Sequence, residues 1–397
     1  MHRSPAALAA LLLLVVVGPG QPALARPVPD HASGVGPAVP ALPGATVVPA
    51  AWSSAVAVIH GRFYGISEVV DSTNHLHIAA TGISGGKEGL WYLTNRTGHW
   101  TAKRILADST DDSWTSPSIA LDEHERVHIA ATWYNELTPG GPLGIYYVTD
   151  RGRARGTFPS HATFLADGDL PSLKVAGGHV FLAYVGPDRA CPGEEGIPVC
   201  RIRFKTDAGG AWTDVKVPGL GYGPTLRLTS GLRARIAFVR WPANGTQSGI
   251  GYAAAGSATG SFTVTTIPGT NGHDDGPLLA LDSGGRPEVA WSHEGATSAS
   301  VRFARRNAAG WTSVVRLFSV GNRPALGFDL DTLGRPHVVA ANLEDETIRE
   351  KRLVNGTWVA SIVAGHVEAW AIALRRAFSG RVAVTWASDS AVYVSKG

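Results

Sequence analysis

The stretch Pro117 to Trp133, PSIALDEHERVHIAATW, returns downstream in looser form, and this recurrence limits the fold more than any other feature of the chain. The copies open at Pro171, Pro224, Pro277 and Pro324, at intervals of 54, 53, 53 and 47 residues. Each reads as a strand with alternating apolar residues (Ile119, Leu121), a polar turn opened by Asp122, and a second strand from Val127 to Thr132. A unit of this length cannot bury its own apolar face, so units recurring at a fixed period must stack on one another. With 48 Gly, 25 Pro and short alternating segments, the chain reads as all-β.

Two further series give the count. After a turn rich in Gly, Asn or Asp, the fourth strand of each unit begins with an aromatic: Trp100, Phe158, Trp212, Phe262, Trp311 and Trp358. One large ring at one place per unit is expected to be a wedge between neighbouring sheets. The second strand aligns at His77, His128, Phe181, Arg235, Glu288, His337 and Arg381, which makes seven units. The last unit supplies three strands and stops where an aromatic fourth strand is due. Trp52 to Ile59, 48 residues before Trp100, carries that marker. A ring of sheets must hide its first and last edges, and a strand borrowed from the N-terminus does so. The expectation is a seven-bladed β-propeller of four-stranded blades over residues 44–397, its last blade closed by an N-terminal strand.

The flanking sequence sets the context. Arg3, the apolar run Ala6 to Val17 and Ala23-Leu24-Ala25 read as a signal peptide over residues 1–25, hence a secreted, extracellular protein. The apolar run is about 12 residues, where a membrane span needs about 20. Residues 26–43 are a Pro-rich linker. Cys191 and Cys200, the only cysteines, are expected to form one disulfide in an oxidising compartment. A formal charge of +3 on 397 residues, with no run of Lys and Arg, carries no footprint for nucleic acid. The sequence is expected to act as a monomer without a membrane span.

The turn Asp207-Ala208-Gly209-Gly210-Ala211-Trp212 resembles the Asp-x-Gly-x-x-Trp turn of the sialidase-type propellers with bacterial neuraminidase repeats. The Ser that precedes that Asp by two residues in the family is Lys205 here, and other units keep only Asn or Gly plus the aromatic. The resemblance covers the mature chain in architecture. It implies a site that binds an acidic sugar with three Arg, an opening Arg-Ile-Pro motif, and a Tyr nucleophile polarised by a Glu. The corresponding stretch, Arg62-Phe63-Tyr64-Gly65-Ile66-Ser67, lacks the motif, and only Arg323 stands at an equivalent strand entry, which argues against sialidase chemistry proper.

In a propeller, the loops from strand four to the next strand one, and from strand two to strand three, meet at one mouth of the central channel. Those loops are acidic and aromatic here. Aromatic faces stack on sugar rings while carboxylates accept their hydroxyls, so an extracellular glycan or polysaccharide is the expected partner. Trp114, Tyr134, Trp241, Trp291, Asp112 and Asp274 are the candidate ligand contacts. Trp133, Trp241, Trp291 and Trp386 fall near one repeat position, which favours packing for each; Tyr134 and Trp114 lie outside the pattern. The alternatives are a carbohydrate-active enzyme at the same mouth and a protein-interaction scaffold. A glycoside hydrolase would use two carboxylates, and a polysaccharide lyase would use His, Tyr and Arg. The candidate catalytic groups are His273, Asp275, His293, Arg323 and Tyr222. The acidic turns Asp111-Asp112, Asp167 to Asp169 and His273-Asp274-Asp275 offer oxygen ligands for Ca²⁺, but no EF-hand spacing is present, and no metal or cofactor is assigned. His77, His128 and His337 recur at one position and are read as structural, as are Asp residues at 71, 282 and 329.

Overall fold

The computed structural model describes residues 52–109, 112–135, 143–186, 201–241, 249–295, 298–321, 324–342, 344–376 and 382–397. The expected signal peptide, linker and Cys191–Cys200 pair lie outside the described residues. Seven antiparallel sheets form seven blades, each built outward from an inner first strand. Those inner strands are Arg62–Val70, Asp112–Leu121, Asp169–Ala176, Leu220–Leu228, Asp274–Leu281, Leu326–Leu330 and Ala371–Arg376. Each touches its neighbours in order and the seventh touches the first, so the ring is closed. Among the described residues, no helix is long and apolar enough to cross a membrane.

Closure is by the N-terminal strand. Val56–His60 pairs antiparallel with Ala391–Lys396 and completes blade 7. Ser53 extends the latch: its N–H donates to Lys396 O at 2.8 Å, and its Oγ accepts from Lys396 N at 2.9 Å. Trp52 Nε1 reaches across to Ser361 Oγ at 3.2 Å on blade 6.

Four of the prolines that announce the repeat have a common physical role, while Pro324 precedes its strand, Leu326–Leu330. Pro117, Pro171, Pro224 and Pro277 each lie inside a β-bulge of an inner strand, between Thr115 and Ser118, Asp169 and Ser172, Tyr222 and Thr225, and Asp275 and Leu278. A proline has no N–H to give a ladder, so the unpaired residue of a bulge is where an inner strand can hold one. The residue before each is left-handed: Ser116 (φ 49°), Leu170 (φ 52°), Gly223 (φ 59°) and Gly276 (φ 57°). Just past the bulge, a hydroxyl stitches each blade to the next. Ser67, Ser118 and Ser172 Oγ accept from the N–H of Ile119, Leu173 and Leu226, and Thr225 Oγ1 donates to Pro277 O.

The face opposite the mouth carries the first-hairpin turns. Asp71, Asp122, Asp282 and Asp331 accept from backbone N–H groups across their turns. The blade 6 turn therefore uses Asp331 and not Asp329. Asp329 lies two residues earlier on the inner strand, because Pro324 stands two residues ahead of Leu326, which takes the place of Pro277 in this blade. Three of the turns carry a buried His on the same carboxylate: His77, His128 and His337. The third-hairpin turns act alike: Asn95, Asp150 and Asp207 accept from the N–H of Leu76, Val127 and Val180.

The aromatic series packs between blades in most units. Phe158 meets Tyr92, Phe262 meets Phe204, Trp311 meets Tyr252 and Trp358 meets Phe303, with centroids 5.2–5.4 Å apart and edge-to-face geometry. Trp212 breaks the rule. It is 46% exposed, with Lys205 Nζ 5.7 Å above its ring, so the most complete copy of the repeat turn holds a surface tryptophan rather than a wedge.

Candidate functional site

At the mouth end of blade 5 the inner strand begins with Asp274 and the second strand carries His293 one residue before its end, and the register sets these two residues directly opposite one another. Asp274 is fully buried. Its Oδ1 accepts from Trp291 Nε1 at 2.8 Å and from His293 Nδ1 at 2.9 Å, and its Oδ2 accepts from Asn271 N at 2.6 Å. Arg302 Nη1 lies 3.8 Å from Oδ1 and adds positive charge. An ionised carboxylate can only accept, so the hydrogen of His293 sits on Nδ1 and Nε2 keeps its lone pair. His293 is partly exposed, with His273 beside it on the preceding loop: the rings are 6.2 Å apart at 84°. His273 is solvent-exposed. This is an acid–imidazole pair held in one tautomer, next to a second imidazole, on the rim of the channel.

Asp275 follows on the same strand. It is partly exposed, and its Oδ1 accepts from Gly276 N at 2.6 Å. Its register position just before the bulge is occupied by Tyr222 in blade 4 and Asp169 in blade 3. Asp169 accepts from Thr132 Oγ1 at 2.8 Å and from Leu170 N at 2.6 Å. Burial nevertheless raises its carboxyl above the usual carboxylate value. Tyr222 packs at 6.3 Å on Trp241, whose buried Nε1 has no hydrogen-bond partner among the described residues. Asp169, Tyr222 and Asp275 thus occupy one level of three adjacent inner strands.

The other candidates are placed as follows. Trp114 is 6% exposed, donates Nε1 to Ala107 O at 3.2 Å, and packs on Trp133 with centroids at 4.6 Å. It is core, and its position outside the repeat reflects a tryptophan pair peculiar to blade 2. Trp291 is fully buried and spends its N–H on Asp274, so neither ring offers a face to a ligand. Asp274 likewise has no free surface: it orients His293 rather than touching a ligand. Tyr134 is partly exposed at the end of the second strand of blade 2, opposite Ser113. Asp112 binds Ser109 Oγ at 2.6 Å. Arg323 lies outside the described residues. No group of three or more His, Cys, Asp or Glu residues among the described residues is arranged to hold a metal ion.

One pair escaped sequence reasoning. Tyr64 Oη donates to Glu88 Oε1 at 2.6 Å, while Arg62 Nε binds Asp389 Oδ1 at 2.9 Å. Burial, and then the Glu88 carboxylate, push the Tyr64 phenol far above its usual value. All four residues lie at the mouth between blades 7 and 1. Each is readable as a loop residue, but only the pairing of the first blade's strands brings Tyr64 to Glu88.

The fold and the channel mouth define a seven-bladed propeller of sialidase-like architecture. No family model and no curated protein matches the chain. Solved structures match its fold. An ulvan lyase of a new polysaccharide lyase family, bound to -[GlcA(1-4)Rha3S]-, superposes with a TM-score of 0.59 at 12% identity, covering 85% of this chain and 94% of the lyase. An α-L-arabinofuranosidase of Fusarium graminearum gives 0.53 at 12% identity over 87% of this chain and 98% of its own. A Hadza microbial sialidase gives 0.50 at 11% identity over 83% and 74%.

Proposed function

We propose that the protein is a secreted carbohydrate-active enzyme that cleaves an acidic polysaccharide by elimination at the mouth of the channel. The observation that carries this reading is the His273–Asp274–His293 cluster. A glycan-binding propeller would offer separate aromatic platforms, whereas Trp114, Trp291 and Trp386 are buried. The likeness in fold to a polysaccharide lyase supports the choice, and the apolar N-terminal run with its small-residue cleavage pattern supports secretion.

In this reading, His293 Nε2 takes the proton from the carbon beside the uronate carboxylate. The electron pair left behind closes a carbon–carbon double bond, and the bond from the adjacent carbon to the glycosidic oxygen breaks. That oxygen leaves with a proton from Tyr222. Asp274 stabilises the imidazolium that forms on His293 and keeps the ring in place, as buried carboxylates do for catalytic histidines. His273, beside it, donates a ring N–H to the substrate carboxylate.

A second reading has one specific support. The raised carboxyl of Asp169 has the character of a general acid, and Asp275 stands two blades away at the same level, so the pair suits hydrolysis. The product separates the two. On a panel of uronate-containing and neutral polysaccharides, elimination gives new unsaturated ends that absorb in the ultraviolet, lost in His293→Ala. Reducing ends without unsaturation, lost in Asp169→Asn, would replace the lyase reading with the hydrolase. Binding to the panel without new ends of either kind would refute both.

A further inference from the structure

A second charged constellation lies in the channel at the end remote from the mouth. Lys174 of blade 3, Arg227 of blade 4 and Asp329 of blade 6 occupy the same register, opposite Phe181, Arg235 and His337. Arg375 of blade 7 joins them from the last inner strand, opposite Ala383. These four side chains feel one another's charge, yet no ion pair links any of them among the described residues. Arg227 Nη1 donates only to Leu226 O, at 3.1 Å. Arg375 donates to backbone carbonyls alone, Glu68 O and Leu374 O, both at 2.9 Å. Asp329 accepts only from backbone N–H groups, those of Leu330 and Arg376. Lys174 has no hydrogen-bond partner among the described residues, and its side chain is partly buried.

The balance of charge is uneven. Three basic side chains face one carboxylate; Glu68, which also feels Arg375 and Asp329, is fully buried, and burial pushes it up to about 7. Burial, and then repulsion from Arg227 and Arg375, hold the Lys174 ammonium well below its ordinary value. An unpaired cation in such a place is costly unless it is neutralised or given an anion. Two planar guanidinium forks with backbone acceptors alone and an ammonium with none among the described residues, drawn from three blades, form the donor set that oxyanions take.

We propose that this end of the channel binds a small free oxyanion of the sulfate or phosphate kind, which the Lys174, Arg227 and Arg375 side chains share and which ties blades 3, 4 and 7 together. The site is separate from the mouth, and the proposal stands whether or not the protein cleaves glycans.

The test uses the full mature chain. Sulfate is titrated at constant ionic strength while thermal unfolding is followed for wild type and for Lys174→Met. Sulfate stabilises most folded proteins through exclusion from their surface, so the difference between the two proteins is the quantity of interest. The expected result is a saturating rise in Tm for wild type that is absent in the variant. The variant, freed of an uncompensated buried charge, is expected to be at least as stable as wild type without sulfate. Should Lys174→Met fail to fold, Arg227→Gln serves in the same comparison. Crystals soaked in selenate are expected to show an anomalous peak between Lys174, Arg227 and Arg375. Equal sulfate responses in wild type and variant, or no selenate at this place, would overturn the proposal.

Discussion

Replacing Asp274 by Asn changes one buried atom pair and tests the candidate site directly. The carboxylate accepts three hydrogen bonds, from Trp291, His293 and Asn271, at 2.6–2.9 Å. An amide that keeps its oxygen toward Trp291 and His293 must turn its NH₂ toward the N–H of Asn271, setting donor against donor. One charge-assisted bond is then lost, at about 2 kcal/mol. The other two fall to neutral strength, at about 1 kcal/mol each, since an ionised partner roughly doubles a hydrogen bond. Asp274→Asn should therefore destabilise the protein by about 4 kcal/mol, measured by urea unfolding. Its effect on turnover is separate. Without the carboxylate's charge, the imidazolium that forms on His293 loses the group that stabilises it, which should lower kcat by roughly 10²- to 10⁴-fold. The assay is release of unsaturated ends at a temperature where the variant remains folded, with KM for the polymer little changed. Loss of stability with kcat within about threefold of wild type would show that His293 is not the base. A stability change below about 1 kcal/mol would mean that the three bonds are not as described.

Other consequences are as concrete. Phe158→Ala should cost about 3–5 kcal/mol, because its ring is buried between blades 1 and 2, while Trp212→Ala should cost under about 1 kcal/mol; comparable values from denaturant unfolding would contradict the distinction. A chain starting at Gly61 leaves Ala391–Lys396 as a bare edge, so calorimetry should show a Tm lower by roughly 10 °C, with aggregation, and an unchanged Tm would disprove the latch. The buried histidines should respond to pH with opposite signs. Burial lowers His77 and His128, each with one carboxylate and a tyrosine hydroxyl; in His337, burial is outweighed by hydrogen bonds to both Asp331 and Glu350, and its value is raised. The His337 contribution is full below the unfolded value of about 6.5 and fades as pH rises through its raised folded value, while that of His128 is full above about 6.5 and fades on acidification toward its lowered one. Urea midpoints between pH ~5 and ~8 should thus show the gap between wild type and His337→Gln widening toward low pH and the gap to His128→Gln widening toward high pH; parallel gaps would refute the assignment.

The architecture was legible because each repeat feature answers a local physical demand. A proline on an inner strand needs a bulge, an Asp or Asn in a hairpin turn takes the free N–H groups, and a ring with open ends needs a borrowed strand; each leaves a mark at a fixed interval. Asp329 is the residue that spacing picks out because Pro324 stands two residues ahead of Leu326, which takes the place of Pro277 in blade 6, so the same count from the proline falls two residues short of Asp331. Trp114 and Trp291 were read as ligand contacts because a sequence shows that an aromatic sits near a loop, not which side of the sheet it covers. Asp274 and His293 were both singled out, but their hydrogen bond spans 19 residues and follows from strand register, which the sequence fixes only to within a residue or two.

Whether the Asp274–His293 pair serves the fold or a reaction can be argued from the repeat itself. Among the described residues, three buried histidines are paired with the turn carboxylate of their own blade, Asp71–His77, Asp122–His128 and Asp331–His337, and chemistry alone does not set these pairs apart. They recur at one turn, on the face opposite the mouth, because that turn needs an acceptor for its N–H groups and the acceptor needs a buried donor. The register cell that holds Asp274 and His293 behaves differently. In blade 1 the same cell pairs Phe63 with Gly82, in blade 2 Trp114 with Trp133, and in blade 4 Gly221 with Arg240. A position that accepts a cation, a tryptophan or no side chain at all makes no fixed demand for packing. A buried carboxylate with three donors trained on it, placed where the fold would accept an apolar pair, costs desolvation that the blade does not require. What that cost secures is one orientation of one imidazole at the rim of the channel, the arrangement that a base needs and that packing does not.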